Sequence, residues 1–354
     1  MALTVLSVAY PFAPVGPDAV GGAEQVLAQL DEGLVRAGHR SIVVACKGSR
    51  VVGTHVAVPA MAGLLKDREI EAARARHRRA ITAALQQWPV DLVHMHGVDF
   101  HTYLPPEGVP VLATLHLPIS YYPSEALHPR RSDTWINCVS RSQHATSPRD
   151  PQLLAPIENG VAEHFFMSRH AKRRFALLLA RICPEKGVHL AMDAAKRAGI
   201  PLLIAGEMFP YTAHRRYFAE EIQPRLDRWR RFIGPIGLAR KRRLLAAARC
   251  LLVPSLVAET SSLVAREALA SGTPVVAFAG GALGEILDHG QTGFLVRDVS
   301  EMAEAITRIS AIDSATCRNS GRARLSLDRM MRAYISTYQS LRRSGGYRPA
   351  LGAA

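Results

Sequence analysis

The sequence predicts an α/β protein built of two Rossmann-like, doubly wound parallel-sheet domains facing across a cleft. Three observations carry this prediction. At 354 residues the chain is longer than one core usually supports. Short apolar, β-branched runs alternate with helical patterns in both halves, which argues for parallel sheets covered by helices on both faces. The alternation breaks once, at the polar and basic stretch Ser168-Arg-His-Ala-Lys-Arg-Arg174, and then restarts.

In order along the chain, Leu3–Ala9 reads as a strand and Glu24–Ala37 as an amphipathic helix closed by Gly38. Ser41–Ala45 is the next strand and Asp67–Gln87 a long, charged helix. Strands follow at Asp91–His96, Val109–His116, Trp135–Ser140 and around Pro156–Ile157. Most are continuous apolar runs, the pattern of strands covered on both faces. After the break come strand Phe175–Ala180, helix Gly187–Ala198, and strands Pro201–Ala205 and Arg231–Ile233. Helix Ala239–Ala248, strand Cys250–Val253 and helix Ser262–Ala270 lead to strands Pro274–Phe278 and Gly293–Val296. Helices at Ser300–Ala311 and Ser326–Arg342 close the pattern, and the Gly- and Pro-bearing tail from Ser344 reads as frayed. The expected domains are residues 1–168 and 169–325, with a helix over 326–343 crossing back to the first. Ligands are expected at the carboxyl ends of the strands, in the cleft between the domains.

Composition narrows the function classes. The net charge is +14, and its distribution is uneven. Before Ser168 there are 14 Lys and Arg against 15 Asp and Glu; beyond it there are 30 against 15, so the excess lies wholly in the second half. Such a half attracts anions such as nucleotide phosphates, acidic headgroups or nucleic acid, although much of it reads as solvated surface. The five cysteines (Cys46, Cys138, Cys183, Cys250, Cys317) form no CxxC pair and read as buried free thiols of a cytoplasmic protein. There is no apolar run of membrane-spanning length, and the N-terminus opens directly into a strand-like run with no signal peptide.

The segment Pro254–Phe278 carries the most chemistry. It reads as strand end, loop, helix, glycine turn and strand. Thr260, Ser261 and Ser262 are expected to supply N-cap hydroxyls ahead of Leu263. Amides near Ser262–Val264, with the helix dipole, form an anion site suited to a diphosphate. Glu259 and Glu267 are eight positions apart, at most ~12 Å if helical. That span is comparable to the distance from a donor sugar to its nucleotide's ribose, but on spacing alone Glu259 reads as a surface loop residue and Glu267 as an ordinary helix glutamate.

This segment resembles the nucleotide-sugar signature of retaining glycosyltransferases of family 4 (group 1), which have the GT-B fold: Glu, seven residues, Glu, a small-residue helix and Gly272-Thr-Pro-Val-Val276. The resemblance covers nearly the whole chain. Gly21-Gly22-Ala-Glu24 resembles the glycine loop opening the first helix, and Asp91-Leu-Val-His-Met-His96 and Ala113-Thr-Leu-His116 the histidine-bearing strand ends of the acceptor domain. Ile157-Glu-Asn-Gly-Val161 resembles the stretch leading into the interdomain linker. Leu179-Ala-Arg-Ile-Cys-Pro-Glu-Lys-Gly187 resembles the segment supplying the donor-phosphate Arg and Lys, and Leu203-Ile-Ala-Gly-Glu207 the strand after it.

The resemblance implies roles. Arg181 and Lys186 clamp the diphosphate and stabilise the leaving group. Glu267 holds the ribose hydroxyls. Glu259, Thr260, Ser261 and Ser262 hold the donor sugar, while Leu263 and Val264 open the phosphate-binding helix. Gly21 and Gly22 let backbone approach the donor phosphate, and His116 faces the transferring carbon. His94 and His96 are read as alternating across one strand, so that only one enters the cleft. His96 is the choice for acceptor binding and His94 is taken as structural. The resemblance implies transfer from a nucleotide diphosphate sugar to an acceptor hydroxyl, with retention of configuration.

Two departures stand out. Thr260-Ser261-Ser262 replaces the family's usual Gly-Phe-Gly, which alters the sugar pocket, and Ala180 stands where a Gly usually precedes the Arg. With no Asp-x-Asp motif, and histidines too scattered to give a ligand set with metal spacing, no metal and no cofactor is expected. The partners expected are thus a nucleotide sugar and an unidentified acceptor, with no nucleic acid. A basic cluster at Arg74–Arg79 offers weak peripheral membrane contact, but Asp67, Glu69 and Glu71 precede it and favour a solvated helix. The alternative is a non-catalytic protein of the same fold that binds nucleotide, phosphate or nucleic acid through Arg225–Arg231 and Arg240–Arg243. Those stretches read as helix-like and show no stacking pattern of a nucleic-acid platform. An NAD-dependent oxidoreductase is disfavoured because no G-x-G-x-x-G follows a strand.

Overall fold

The computed structural model describes residues 2–60, 67–167 and 170–344. The chain forms two compact units. One comprises the residues up to Glu158 together with the chain from Met330 onward, and the other spans Asn159–Arg329. The boundary expected at Ser168 falls on residues outside those described.

The first unit holds a seven-stranded sheet: β1 (Thr4–Val8), β2 (Arg40–Cys46), β3 (Thr54–Val58), β4 (Leu92–Met95), β5 (Val111–Leu115), β6 (Thr134–Cys138) and β7 (Leu153–Leu154). Its order is β3-β2-β1-β4-β5-β6-β7, and every pairing is parallel. The strand order reverses beside β1, so the carboxyl ends of β1 and β4 flank a topological switch point. Every residue of β4 and β5 is buried, as their continuous apolar runs require. The strand expected around Pro156–Ile157 is instead the two-residue β7, and β3 was not expected.

The second unit holds β8 (Ala176–Leu179), β9 (Leu202–Ala205), β10 (Arg230–Phe232), β11 (Cys250–Val253), β12 (Val275–Phe278) and β13 (Gly293–Val296). They form a parallel six-stranded sheet in the order β10-β9-β8-β11-β12-β13, which switches between β8 and β11. A helix at Ser314–Arg324, also unexpected, precedes the last one.

The C-terminal helix, Leu327–Ser344, begins in the second unit and belongs to the first from Met330. Met330, Tyr334, Tyr338 and Leu341 are buried and recur at spacings of four, four and three, which places them on one helical stripe. Gly33 admits this helix closely: a Cβ there would stand 2.5 Å from the Met331 sulfur. Near the end, Arg342 Nε pairs with Asp91 Oδ1 at 3.2 Å.

Candidate functional site

At the switch point of the second unit, β8 and β11 pair in parallel, so the loops leaving their carboxyl ends run side by side. Gly187 has φ +59°, and a Cβ there would meet the Pro254 carbonyl at 2.1 Å. Only glycine allows this approach. The Leu256 amide then donates to the Glu185 carbonyl at 2.8 Å, joining the two loops. This seam brings Lys186 to Glu259: Nζ donates to Oε1 at 2.6 Å, and Ser255 Oγ donates to the same oxygen. Glu259 is fixed from below as well. Its carbonyl accepts from the Ala282 amide at 2.7 Å. Gly281, at φ +56°, leaves no room for a Cβ, which would fall 2.2 Å from that carbonyl.

The helix that follows, Leu263–Ala270, starts unlike the sequence expectation. Ser262 is its N-cap, but at φ 45° and ψ 69° it lies in the left-handed region and its side chain caps nothing. Among the described residues it is the only non-glycine with positive φ. Its Oγ is buried with no hydrogen-bond partner. Ser261 is likewise no cap; its Oγ accepts from Asn159 Nδ2 at 2.9 Å. The expected N-cap hydroxyls are therefore corrected: the loop geometry turns Ser261 and Ser262 away from the helix amides. The first turn, with Leu263 and Val264, keeps the general property of a helix start, amides without intrahelical partners and a positive dipole end. The ~12 Å span from Glu259 to Glu267 assumed helix throughout, whereas Glu259 to Ser262 is loop.

Glu267 lies in this helix, 5% exposed, and its Oε1 accepts from Lys241 Nζ at 2.6 Å. Lys241 comes from helix Leu238–Ala247, and its ammonium lies 5.8 Å from the Phe166 ring centroid. The site thus contains two partly buried cation–carboxylate pairs, Lys186–Glu259 and Lys241–Glu267, whose carboxylates stand four positions before and four after Leu263, the first residue of the helix. Arg181 leaves β8 with its guanidinium 5.5 Å from the Phe209 ring centroid. Lys241 and Gly281 were missed by sequence reasoning because they reach the site from segments with no local motif, and Ser255 and Asn159, although they lie in recognised stretches, because nothing in the sequence shows which side chains they bond.

Next to Arg181, the ligand atoms of Cys183, Glu185 and His214 lie within 4.8 Å of one another. Spacing in the sequence did not disclose this group of three possible ligands. Cys183 and Glu185 are close in sequence, but the third member arrives from the distant helix Thr212–Tyr217.

In the first unit, Gly21 caps the helix Gly22–Arg36 in an extended conformation. A Cβ on Gly21 would fall 1.8 Å from Glu24 Oε2, so the glycine makes space for the buried carboxylate folded over it. His94 and His96 share one side of the sheet, with ring centroids 3.9 Å apart. The expected alternation is corrected, because residues two apart in a strand point to the same face. What separates them is bonding. Thr114 Oγ1 donates to Asn137 Oδ1 at 2.8 Å, so it accepts from His94 Nε2 at 2.7 Å. His94 Nδ1 then accepts from Tyr338 OH at 2.8 Å. Both His94 nitrogens are consumed by the fold. His96 Nδ1 lies 3.0 Å from His116 Nε2, while its Nε2 is buried without a partner. Burial drives the His116 imidazole down to about 4. Burial, reinforced by the neighbouring imidazoles, also holds His94 and His96 well below their ordinary value. All three are neutral at pH 7.

Comparison with known proteins agrees with this geometry. Residues 173–311 match the family of glycosyl transferases group 1, and residues 20–150 match Glycosyltransferase Family 4. Glycogen synthase of Mycobacterium tuberculosis is 32% identical over 273 residues, covering 68% of this chain and 64% of that protein. The match therefore spans just under two thirds of its curated relative. Among solved structures, AviGT4, a glycosyltransferase involved in avilamycin A biosynthesis, superposes with TM-score 0.73 at 24% identity, over 96% of this chain and 98% of its own. The Anabaena protein HepE in complex with UDP and glucose does so with TM-score 0.75 at 18% identity, over 96% and 100%. With the two parallel sheets, the glutamate–helix–strand segment and the matches in both units, the chain belongs to the group 1 glycosyltransferases and has their GT-B fold.

Proposed function

We propose that the protein transfers a glycosyl group from a nucleotide diphosphate sugar, bound by the second unit, to an acceptor hydroxyl bound by the first. The observation that carries this reading is the two partly buried ion pairs whose carboxylates bracket the Leu263 helix start in sequence. A diphosphate takes Lys186 and Arg181 as counter-charges and the helix amides as donors. Lys186 is held by Glu259 until the donor arrives, and the incoming sugar hydroxyls replace it on the carboxylate. Glu267 takes the ribose hydroxyls, with Lys241 orienting the carboxylate through its hydrogen bond. Thr260, Ser261 and Ser262 line the sugar, and Gly21 and Gly22 face the donor phosphate. HepE, whose solved complex holds UDP and glucose, supports a uridine nucleotide as the first candidate.

In this reading the reaction retains anomeric configuration. Departure of the nucleotide diphosphate is assisted by Arg181, Lys186 and the helix dipole, with no metal at the diphosphate. The acceptor attacks from the same face and gives its proton to the departing phosphate. His116, neutral at pH 7, hydrogen-bonds the donor sugar, and His96 holds its ring and reaches toward the acceptor. A cytoplasmic site fits the five buried free thiols. Among the described residues, no helix is long and apolar enough to cross a membrane.

Turnover of a panel of nucleotide sugars, measured in EDTA with NMR of the product anomer, tests the proposal. Lys186→Ala is expected to lower kcat by about 10²–10³, the usual loss of one charge-stabilising donor. Sugar release that needs added metal, or that survives Lys186→Ala intact, contradicts it.

A further inference from the structure

Three side chains that the transfer does not use converge beside the Arg181–Lys186 loop. Cys183 and Glu185 lie in the turn after β8, and His214 comes from the short helix Thr212–Tyr217. Their ligand atoms lie within 4.8 Å of one another. Cys183 is 1% exposed and His214 9%. His214 Nδ1 is buried and has no hydrogen-bond partner, a deficit that buried polar groups rarely carry without a reason. The rings of Phe209 and Tyr211 pack on His214 at centroid distances of 6.3 and 5.1 Å and shield it from solvent. The Cys183 thiol lies 3.8 Å from the Arg181 carbonyl, a weak contact, and its side-chain partner is the Glu185 carboxylate.

We propose that Cys183, Glu185 and His214 bind one divalent cation of the zinc type, with water in the fourth position. Thiolate, imidazole and carboxylate are the donor set of Zn²⁺ or Co²⁺, whereas Mg²⁺ and Ca²⁺ take oxygen ligands. Metal–ligand bonds of about 2.0–2.3 Å put tetrahedral ligands roughly 3.5 Å apart, so the cluster needs to contract by no more than about 1 Å on binding. Charge also balances: one thiolate and one carboxylate neutralise the ion, which otherwise repels Arg181. Burial pushes the Cys183 thiol up to about 11, so the metal-free site keeps its proton. Binding forms the metal–sulfur bond and releases that proton to solvent. Burial lowers His214, leaving a neutral imidazole ready to ligate. Burial works against ionisation of Glu185, but backbone and thiol hydrogen bonds and the Arg181 charge outweigh it and hold the carboxyl below its ordinary value.

Such an ion ties the loop carrying Arg181 and Lys186 to the segment Phe209–His214. Only this consequence rests on the proposed donor site; the metal site itself does not. The test is titration of the purified full chain, treated with chelator and then freed of it, with Co²⁺ and then Zn²⁺ in the absence of nucleotide. The expected result is a thiolate-to-cobalt charge-transfer band saturating at one equivalent and bleached by Zn²⁺. Cys183→Ser abolishes the band, His214→Gln weakens binding at least about 10-fold, and Cys46→Ser, a buried thiol of the other unit, changes neither. Circular dichroism checks each fold; if Cys183→Ser does not fold, His214→Gln decides alone. A folded wild type without the band, or a band unchanged in His214→Gln, overturns the site. Metal binding without any nucleotide binding instead overturns the donor reading alone.

Discussion

Ser262 shows how a single residue records a compromise. The resemblance places it where the family usually has glycine, and its backbone adopts the left-handed geometry that glycine tolerates. A β-carbon in that region costs on the order of 1 kcal/mol, and the buried Oγ finds no partner in return. Ser262→Gly is therefore expected to raise stability by roughly 1 kcal/mol while weakening nucleotide-sugar binding, read by thermal melting with and without donor. A lower melting temperature in the free variant contradicts the strain argument. The two glutamates, Arg181 and Lys186 could be singled out in the sequence because their spacing sits within continuous motifs. Lys241 and Asn159 were not, since they meet Glu267 and Ser261 from 26 and 102 positions away. The side-chain conformation of Ser262 was illegible for a different reason: its hydroxyl suggests a cap, and only the φ angle rules one out.

At the scale of elements, the strands of both sheets were legible wherever a run was apolar throughout. β3 was not, because Thr54–Val58 is a half-exposed edge strand with a mixed polar pattern. The helix Ser314–Arg324 was missed because it buries only Cys317 and Gly321 and so shows no apolar stripe. The C-terminal helix was legible as a helix, but its bonding was not. Tyr338 donates to His94, whose other nitrogen bonds Thr114, so this helix orders the strand ends that carry His96 and His116. Tyr338→Phe leaves a buried imidazole nitrogen unpaired and is expected to cost about 1–3 kcal/mol, measured by urea denaturation. Loss of under half a kcal/mol contradicts that role. The turn at Gly281 makes a parallel case in the second unit. Gly281→Ala forces strain at positive φ and a clash with the Glu259 carbonyl, so donor binding is expected to weaken along with stability.

For the whole molecule, the buried histidines and the basic second half set the response to pH and ligand. His77 and His116 are driven by burial to about 4, and His94 and His96 well below their usual value. Between pH 6.5 and 4 the unfolded chain thus binds more protons than the native one, and stability rises with pH across that window. The melting temperature is expected to fall progressively as pH drops below 6.5; a flat profile from pH 7 to 4.5 contradicts the burial of these rings. The surplus of cations after residue 168 was legible as an attraction for anions, but charge alone did not say which. In the proposed function the ion pairs around the Leu263 helix start give that charge a specific target. The most direct test is a thermal-shift titration with UDP, GDP, ADP and their sugar conjugates in EDTA, comparing wild type with Glu267→Gln. One nucleotide series is predicted to stabilise the wild type, by about 2.7 kcal/mol at 100 times its Kd, and to lose most of that effect in the variant. No shift with any nucleotide at millimolar concentration, or an equal shift in Glu267→Gln, would contradict the donor site.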